Sequence, residues 1–405
     1  MVVVAWSFGV RAAACFLRGE GKNLPVTKRI AVNGTTAHIH DSKGIPTAIF
    51  NGTLANLSEP NLRKFRRRMF SSAAEFGHFM ESGCSRPFDT LKEELELFGR
   101  MAPDLEAGSL FDLAVIGEKD AIFPPAAQLE FWGNEKSELW EGMPHFPDFE
   151  RILKRHIIDK ELVASRFAAS ASTYRDNAPV QARVAEQLWR YAGPYAPAAL
   201  ASGGSVLEVG VGDGVLTRSY APDISPAQMM LWDIAPLNPT MLPEGAALRQ
   251  CDAEIAIREL QEGSLSMLLS ASTLQWFNNP SEFIRQACRR LSHGGILAIS
   301  SFGPKTFREI SDVTGTGLTY PDIGRLAEIV REEGCSVAVC HTDTVIQRFS
   351  SAKELLRHLK LTGVNAVSRG QGETVAAMRL LKTLHKSATE PALTYEPIYL
   401  VAIKD

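Results

Sequence analysis

The chain contains few cysteines, and its six are irregularly spaced over 405 residues. Disulfide frameworks and structural zinc sites need denser or more regular cysteine spacing, so we predict reduced thiols and no bound metal. Cys335, Cys340 and His341 form the closest group, but they fall in a run of alternating apolar and polar residues that is typical of a strand. This cysteine usage predicts a cytoplasmic protein.

An excess of charge and long apolar runs are also missing. The 43 basic and 46 acidic residues give a net charge of −3, which is too small to predict binding to nucleic acid or to an anionic membrane. No run reaches the roughly 18 uncharged apolar residues of a membrane span. The apolar start lacks the basic segment of a leader peptide and is interrupted by Arg11, so we interpret it as a strand.

Apolar runs and helical patterns alternate along a chain that has the length of two ordinary domains. An amphipathic helical pattern begins after residue 149, and we assign the domains to 1–155 and 156–405. Strands are predicted at 2–6, 29–33, 111–117, 205–211, 229–234, 247–251, 265–271 and 295–301. Two later extended runs, 336–349 and 395–403, are expected to form a terminal hairpin. This alternation predicts an α/β fold with a mostly parallel sheet that helices cover on both faces.

A glycine-rich turn follows the strand predicted at 205–211. Glu208, Gly210, Gly212 and Gly214 lie in the sequence Leu-Glu-Val-Gly-Val-Gly-Asp-Gly. Glycine lets the backbone bend sharply and lets a ligand approach main-chain atoms. A dinucleotide fingerprint would need its third glycine one residue later, at Val215. The spacing resembles motif I of the class I methyltransferases, which use S-adenosylmethionine and have a Rossmann-like fold.

Two acidic residues follow at the ends of the next two predicted strands. Asp233 ends one strand, where a carboxylate can accept both hydroxyls of a ribose, and Asp252 follows the next. Acids at strand ends also cap helices, so each residue alone has an ordinary structural explanation. Their order behind the glycine turn favours a site for the adenosine part of the methyl donor. In the methyltransferases that the motif resembles, the second acid faces the adenine amino group.

Longer segments of the second domain narrow this resemblance. They are Arg166, Phe167, Tyr174 and Gln181 in a leading helix, the run at 270–276 with Gln275 and Trp276 after the fourth strand, the run at 302–309, and the segment at 354–365, which contains Leu-Lys-x-Thr-Gly-x-Asn. Together they resemble the malonyl-acyl-carrier-protein O-methyltransferases of biotin synthesis. Ser270 departs from the pattern, because many members carry an acid at that position.

The resemblance implies methyl transfer from S-adenosylmethionine, without a metal, to the free carboxylate of a malonyl thioester on acyl carrier protein. Contacts to the methyl donor are expected from Glu208, Gly210, Gly212, Gly214, Asp233, Asp252 and Gln275. A cation or a phenol is expected to hold the carboxylate; the candidates are Tyr174, Lys305 and Lys360, each of which also fits an ordinary core or surface position. Methylation of another small carboxylic acid and binding of the methyl donor without turnover are the alternatives.

A strand-turn-helix pattern surrounds Ser7, which lies in the sequence Ala-Trp-Ser-Phe-Gly. Small residues on both sides fit the tight turn of a nucleophile elbow. Asp120 follows a predicted strand and His145 comes after it, which is the order Ser, Asp, His of α/β-hydrolases. With Ile-Ala-Val-Asn-Gly at 30–34 and Pro-His-Phe at 144–146, the segment resembles the pimeloyl-acyl-carrier-protein methyl ester esterases. That resemblance implies hydrolysis of a carrier-bound methyl ester.

An α/β-hydrolase places several strands and an oxyanion-hole loop before its elbow, whereas Met1 is only six residues from Ser7. We therefore expect a partial hydrolase domain with a weakened oxyanion hole and an uncovered strand edge. Three explanations stay open: translation starts farther upstream, the segment is a decayed remnant, or a separate chain completes it. The chain is accordingly a methyltransferase alone or a bifunctional enzyme that also removes the ester.

A basic run stands out from the balanced composition; it contains Arg63, Lys64, Arg66, Arg67 and Arg68. A solvated helix face explains the run without any function. Docking of an acidic acyl carrier protein is the functional explanation. No aromatic residues interleave with the basic ones in a stripe, so nucleic acid is not predicted as a partner.

Overall fold

A computed structural model of the chain describes residues 1–82, 86–201, 203–225, 227–314, 318, 320–361 and 391–405. Within these ranges, the side chains of 170–177, 313, 314, 360 and 361 lie outside the description. The chain divides into two compact units, Met1–Arg151 and Ile152–Asp405, which are named the first and the second unit. In the described ranges, no helix is long and apolar enough to cross a lipid bilayer.

The first unit contains a parallel sheet. Its strands are β1 (Val2–Trp6), β2 (Lys28–Val32), β3 (Leu113–Lys119) and β4 (Ser137–Pro144), and they pair in this order. Its helices are α1 (Gly9–Arg18), α2 (Thr47–Ala55), α3 (Glu59–Arg68), α4 (Ala73–Glu81), α5 (Phe88–Arg100) and α6 (Pro125–Trp132), with a short 3-10 helix at Ala107–Leu110. The helix α7 (Phe149–His156) contains the division between the units.

Three of these strands agree with the sequence prediction to within two residues at each end. They are rich in β-branched and small apolar residues, as buried parallel strands are. Sequence patterns do not predict β4, because Glu138, Glu141 and Gly142 interrupt its apolar residues. Such a composition is typical of an edge strand, and β4 lies at one edge of the sheet, opposite β1.

The second unit is built around a larger sheet. Its strands are β5 (Ser205–Val209), β6 (Gln228–Asp233), β7 (Ala247–Gln250), β8 (Leu265–Ala271), β9 (Leu291–Phe302), β10 (Cys335–Thr342), β11 (Val345–Arg348), β12 (Ala392–Tyr395) and β13 (Pro397–Lys404). The main sheet has the order β10-β13-β9-β8-β5-β6-β7, and β13 is antiparallel to both neighbours. The remaining pairs in this sheet are parallel.

The helices of the second unit connect and cover these strands. They are α8 (Lys160–Asn177), α9 (Pro179–Ala192), α10 (Ala196–Ala199), α11 (Val215–Tyr220), α12 (Ala253–Ala256), α13 (Pro280–Arg290), α14 (Arg308–Thr314), α15 (Ile323–Glu332) and α16 (Ala352–Leu361). Short 3-10 helices lie at Gly193–Tyr195, Ala221–Asp223, Pro239–Met241, Ile257–Glu259 and Leu274–Trp276.

This architecture confirms the predicted α/β class. Neighbouring residues of β5 point to opposite faces, so Val206 and Leu207 belong to two separate buried clusters, one on each side of the sheet. The extended run at 336–349 is wrong as a single strand. Asp343 and Thr344 interrupt it, so that β10 pairs with β13 in the main sheet while β11 pairs with β12 in a separate ribbon.

Candidate active sites

A glycine turn connects β5 to α11 in the second unit. Gly210, Gly212 and Gly214 have φ angles of 78°, 57° and 77°, a region that residues with a side chain rarely adopt. A Cβ at Gly210 would collide with the side chain of Thr273, whereas a Cβ at Gly212 would meet no atom within 4 Å. The turn therefore leaves its backbone open to a ligand at Gly212.

Asp233, the last residue of β6, is fixed beside this turn. Its Oδ2 accepts a hydrogen bond from Gly212 N–H and its Oδ1 accepts one from Ala235 N–H, both at 2.8 Å. Burial raises the pKa of the Asp233 carboxyl above its usual value, and these backbone N–H groups oppose the rise. A carboxylate held at both oxygens keeps further lone pairs that can accept hydroxyl groups.

Asp252 caps α12 and contacts a lysine that no sequence motif marks. Its Oδ1 accepts a hydrogen bond from Glu254 N–H at 3.1 Å and lies 3.4 Å from Lys160 Nζ. The same ammonium lies 2.7 Å from Glu254 Oε2 and 4.7 Å from the ring centre of Phe277. Lys160 is the first residue of α8, so these contacts tie the start of that helix to the end of β7.

A large cavity of about 1060 Å³ brings these groups together. Gly210, Gly212, Asp233 and Asp252 line it, together with Lys160. Small-molecule sites typically enclose roughly 300–1,000 Å³, so the large cavity has room for a nucleoside-sized ligand and more. The sequence motifs predict all of these residues except Lys160 as contacts to the methyl donor. They lie at the ends of three different strands, β5, β6 and β7.

Glu208 and Gly214 do not line the large cavity. The Glu208 side chain is 1% exposed, and its Oε2 accepts a hydrogen bond from Thr217 Oγ at 2.7 Å. Burial raises the pKa of the Glu208 carboxyl to about 7. Both residues therefore stabilise the turn without lining the cavity. Glu208 connects β5 to α11 through its hydrogen bond, and Gly214, directly before α11, has a left-handed backbone. Direct contact of Glu208 with a methyl donor, as predicted, does not fit this position.

Gln275 lies in the 3-10 helix after β8 and lines a small cavity of about 20 Å³ instead. Its Nε2 donates to the carbonyl oxygen of Ser272 at 2.6 Å, and its Oε1 accepts from Ser301 Oγ at 2.9 Å. The residues that line both cavities are Phe167, Gln181, Ser272 and Trp276. The two cavities thus meet at these four residues, and this meeting place is named the junction.

Of the three residues predicted to hold a carboxylate, Lys305 is the one whose side chain the structure describes. The side chains of Tyr174 and Lys360 lie outside the described residues. Lys305 Nζ is 3.0 Å from Glu396 Oε1, and its side chain, 68% exposed, lines neither cavity. The buried Glu396 carboxylate also accepts from Lys305 N–H at 2.9 Å. Lys305 therefore lies outside the lining of both cavities, and its contact with a substrate carboxylate stays a prediction.

The three residues of the predicted hydrolytic triad meet in the first unit. His145 Nε2 lies 3.1 Å from Ser7 Oγ, and His145 Nδ1 lies 2.9 and 3.0 Å from the two carboxylate oxygens of Asp120. Asp120 Oδ1 also accepts from Ile122 N–H and Phe123 N–H, both at 2.8 Å. Ser7 has a φ of 57°, the strained backbone of a nucleophile elbow. In this arrangement His145 can take the Ser7 proton while Asp120 stabilises the imidazolium.

Asn33 is a further member of this site. Its Oδ1 accepts from Gly117 N–H at 2.7 Å, and its Nδ2 donates to the carbonyl oxygens of Pro144 and His145 at 2.9 and 2.8 Å. Trp6 Nε1 donates to the same His145 carbonyl at 2.7 Å. These bonds fix the backbone that carries the imidazole. The sequence contains Asn33 in a segment that carries the esterase resemblance, but no motif assigns it a role.

Ser7, Asn33, Asp120 and His145 each directly follow the last residue of a strand, from β1 to β4 in turn. The carboxyl ends of parallel strands meet at one edge of a sheet, which is where such folds build their sites. The order of the strands in the sheet therefore brings together side chains that are far apart in the sequence.

Two protein-family models match separate parts of the chain. Residues 1–149 match a model described as pimeloyl-ACP methyl esterase BioG. Residues 207–299 match a model described as a methyltransferase domain. The first range contains the triad, and the second contains the glycine turn with Asp233 and Asp252.

A malonyl-[acyl-carrier protein] O-methyltransferase from Bacteroides fragilis is 35% identical over 420 residues, which cover 99% of this chain and 83% of the relative. The chain belongs to this family. A second malonyl-[acyl-carrier protein] O-methyltransferase, from Bacteroides thetaiotaomicron, is 29% identical over 274 residues, which cover 61% of this chain and 99% of the relative. Membership confirms the resemblance seen in residues 166–365, and the methyltransferase domain accounts for the Rossmann-like sheet of the second unit.

Two solved structures are similar to parts of this chain. BioG from Haemophilus influenzae is 35% identical and covers 37% of this chain and 68% of its own, with a TM-score of 0.31. A SAM-dependent methyltransferase from Archaeoglobus fulgidus is 16% identical and covers 55% of this chain and 94% of its own, with a TM-score of 0.32.

Proposed function

We propose that the second unit transfers a methyl group from S-adenosylmethionine to the free carboxylate of a malonyl thioester on acyl carrier protein. The observation that carries this proposal is the large cavity, in which Gly210, Gly212, Asp233 and Asp252 line one space. The names of the family members from two Bacteroides species support the acceptor.

The residues of the large cavity fit the methyl donor. When bound, S-adenosylmethionine supplies a methyl group activated by a positively charged sulfur. The open backbone at Gly212 gives room for the donor, and the fixed carboxylate of Asp233 can accept the ribose hydroxyls. Asp252, whose Oδ1 is occupied by Glu254 N–H, can use Oδ2 for the adenine amino group.

Methyl transfer to a carboxylate requires few further groups from the protein. A carboxylate is already ionised near neutral pH, so methyl transfer needs neither a general base nor a covalent intermediate. Catalysis then consists of holding the carboxylate in line with the methyl group and excluding water, and orientation alone is worth roughly 7–11 kcal/mol in favourable cases. The buried apolar walls of the junction suit this task.

The test uses the purified chain with S-adenosylmethionine and malonyl-acyl carrier protein. We expect the carrier to gain one methyl group as an ester, measured by mass spectrometry of the intact carrier. Succinyl-acyl carrier protein and free malonate test whether another small carboxylic acid is the better acceptor. Tight binding of the methyl donor in calorimetry, with no ester formed from any of these acids, would reject the proposed reaction.

We infer a second activity, carboxylesterase, for the first unit, because the complete Ser7, His145 and Asp120 arrangement favours it. Ser7 is the nucleophile, His145 the general base and then acid, and Asp120 the group that orients the imidazole. The backbone N–H of Phe8, directly after the nucleophile, can donate to the oxyanion. The family model for residues 1–149 supports a pimeloyl-acyl-carrier-protein methyl ester as the substrate.

The esterase inference is tested with the full chain and a fluorophosphonate probe. We expect the probe to label Ser7, and we expect pimeloyl-acyl-carrier-protein methyl ester to lose its methyl group. Ser7→Ala should abolish both results and leave methyl transfer intact. An unlabelled serine in the natural chain would reject the inference.

A further inference from the structure

Two polar atoms at the junction have no hydrogen-bond partner among the described residues. They are Gln181 Oε1 and Ser272 Oγ, and both atoms are buried from solvent. Gln181, on α9, is 9% exposed as a whole residue. Buried polar groups are nearly always paired, because an unpaired group loses its hydration without compensation. Two such atoms in one small space indicate that a ligand completes their hydrogen bonds.

The backbone of Ser272 is held in an unfavourable conformation. Its φ is 53°, a left-handed value that is uncommon outside glycine. Two contacts maintain it: Ser272 N–H donates to Ser300 O at 3.0 Å, and Ser272 O accepts from Gln275 Nε2 at 2.6 Å. Ser301 Oγ in turn fixes the Gln275 amide. Strained residues that their surroundings hold in place concentrate at functional sites.

Aromatic side chains enclose these polar atoms. Phe167 and Trp276 line both cavities, and their ring centres lie 5.4 Å apart in an edge-to-face arrangement. Apolar walls exclude water and so strengthen hydrogen bonds to a charged ligand. The small cavity, at about 20 Å³, has room for one small group and not for a long chain.

We propose that the Ser272 hydroxyl and the Gln181 amide bind the carboxylate of the acceptor at the junction, and that Gln275 positions Ser272. This inference rests on the proposed methyl transfer. Ser272 O–H donates to the carboxylate, and the Gln181 NH₂ donates once its amide turns by 180°, which exchanges oxygen and nitrogen.

Methyl transfer then needs no proton movement at either residue. One carboxylate oxygen forms the new bond to the methyl carbon as the carbon–sulfur bond breaks, and the electron pair of that bond stays on sulfur. A carboxylate and a sulfonium become a neutral ester and a neutral thioether. Hydrogen bonds to a neutral ester are weaker than those to a carboxylate, so the same residues favour release of the product.

The test compares Ser272→Ala and Gln181→Leu with matched controls in the full chain. Ser266→Ala removes another buried hydroxyl, from β8, and Gln347→Leu removes an unpartnered amide oxygen, from β11. Neither control residue lines either cavity. For malonyl-acyl carrier protein, we expect kcat/KM to fall about 10- to 100-fold in the two junction variants and to stay near the natural value in the controls.

A second variant, Gln181→Glu, keeps the side-chain volume and places a carboxylate against the acceptor. The fall in kcat/KM for this variant should exceed the fall for Gln181→Leu at pH 8. The fall should become smaller as the pH is lowered and the new carboxylate is protonated. Calorimetry should give an unchanged dissociation constant for S-adenosylmethionine in all variants.

The outcomes separate this inference from the proposed function. If the natural chain forms no ester, methyl transfer itself fails and the junction assignment fails with it. If the natural chain forms the ester and the junction variants match it, the assignment alone is overturned. Weakened binding of the methyl donor that accounts for the whole loss would also overturn it, because the residues would then serve the other substrate.

Discussion

The imidazole Nε2 of His145 lies 3.1 Å from the hydroxyl oxygen of Ser7, although the two residues are 138 positions apart in the chain. The contact exists because β1 and β4 lie in one parallel sheet whose strand ends meet at the same edge. Asn33, which follows β2, binds Gly117 on β3 and the carbonyl oxygen of His145 through its side chain. The geometry of the triad thus depends on a residue that takes no part in proton transfer.

Asn33→Asp is expected to lower the turnover of the proposed esterase. The carboxylate can still accept from Gly117 N–H and tolerates the φ of 47°, but it cannot donate to the His145 carbonyl. Loss of that bond should lower kcat about 10-fold and leave KM nearly unchanged. The measurement is hydrolysis of a carrier-bound methyl ester, with Asn56→Asp on the exposed end of α2 as the control. Equal turnover in both variants would show that Asn33 does not position His145.

Asp233→Asn should weaken binding of the methyl donor. One of its oxygens becomes an NH₂ group, which donates and cannot accept, so the side chain can no longer accept from both backbone N–H groups and from a ribose hydroxyl. We expect the dissociation constant of S-adenosylmethionine in calorimetry to rise about 10- to 100-fold, since hydrogen bonds to a charged group contribute about 1.5–3 kcal/mol. Asp343→Asn, on an exposed loop, is the matched control. A donor affinity unchanged by Asp233→Asn would remove Asp233 from the site.

The buried carboxyl of Glu208 should make the second unit less stable as the pH rises. Its pKa is raised from 4.5 to about 7, so between these values the folded chain binds more protons than the unfolded chain. Stability from this group is present below pH 4.5, is lost as the pH rises through 7, and the difference amounts to about 3 kcal/mol. Glu208→Gln should remove this dependence and still accept from Thr217. Urea unfolding of both proteins at pH 5 and pH 8 tests this, and a constant gap in stability between them would contradict it.

The basic face of α3 should assist reactions of carrier-bound substrates. Arg63 and Lys64 are exposed there, and acyl carrier protein is acidic. Arg63→Glu with Lys64→Glu should lower kcat/KM for the carrier-bound methyl ester about 10-fold at low salt, and less at high salt. Hydrolysis of a small soluble ester should not change. The double substitution Lys22→Glu with Lys92→Glu makes the same charge change elsewhere in the unit, and an equal loss there would attribute the effect to net charge alone.

Local sequence patterns predict most of the fold, because most of its elements are determined by short stretches of sequence. The elbow around Ser7, the glycine turn and the strand β8 each depend on a few neighbouring residues. Sequence reasoning fails where distant segments decide the outcome. From the sequence alone, Lys305 is a candidate to bind the substrate. In the fold, β13 pairs with β9, and this places Glu396 3.0 Å from the ammonium of Lys305.

Burial is the second property that local patterns miss. The motif predicts that Glu208 faces the ligand. Neighbouring residues of a strand point to opposite sides, however, so Leu207 is buried on one side of β5 and Glu208 contacts α11 on the other. Ser272 lies in the run at 270–276 that carries the family resemblance, but that run does not predict its strained backbone, which a hydrogen bond from Gln275 maintains.

The triad residues follow three strands, β1, β3 and β4, so their contacts form only after these strands have paired. A ribosome makes Ser7 long before it makes His145, and the serine stays an ordinary alcohol until β4 has paired with β3. We therefore expect Ser7 to be unreactive in a nascent or partly unfolded chain. The rate at which a fluorophosphonate labels Ser7, followed over time after dilution from denaturant, would measure when β4 pairs with β3.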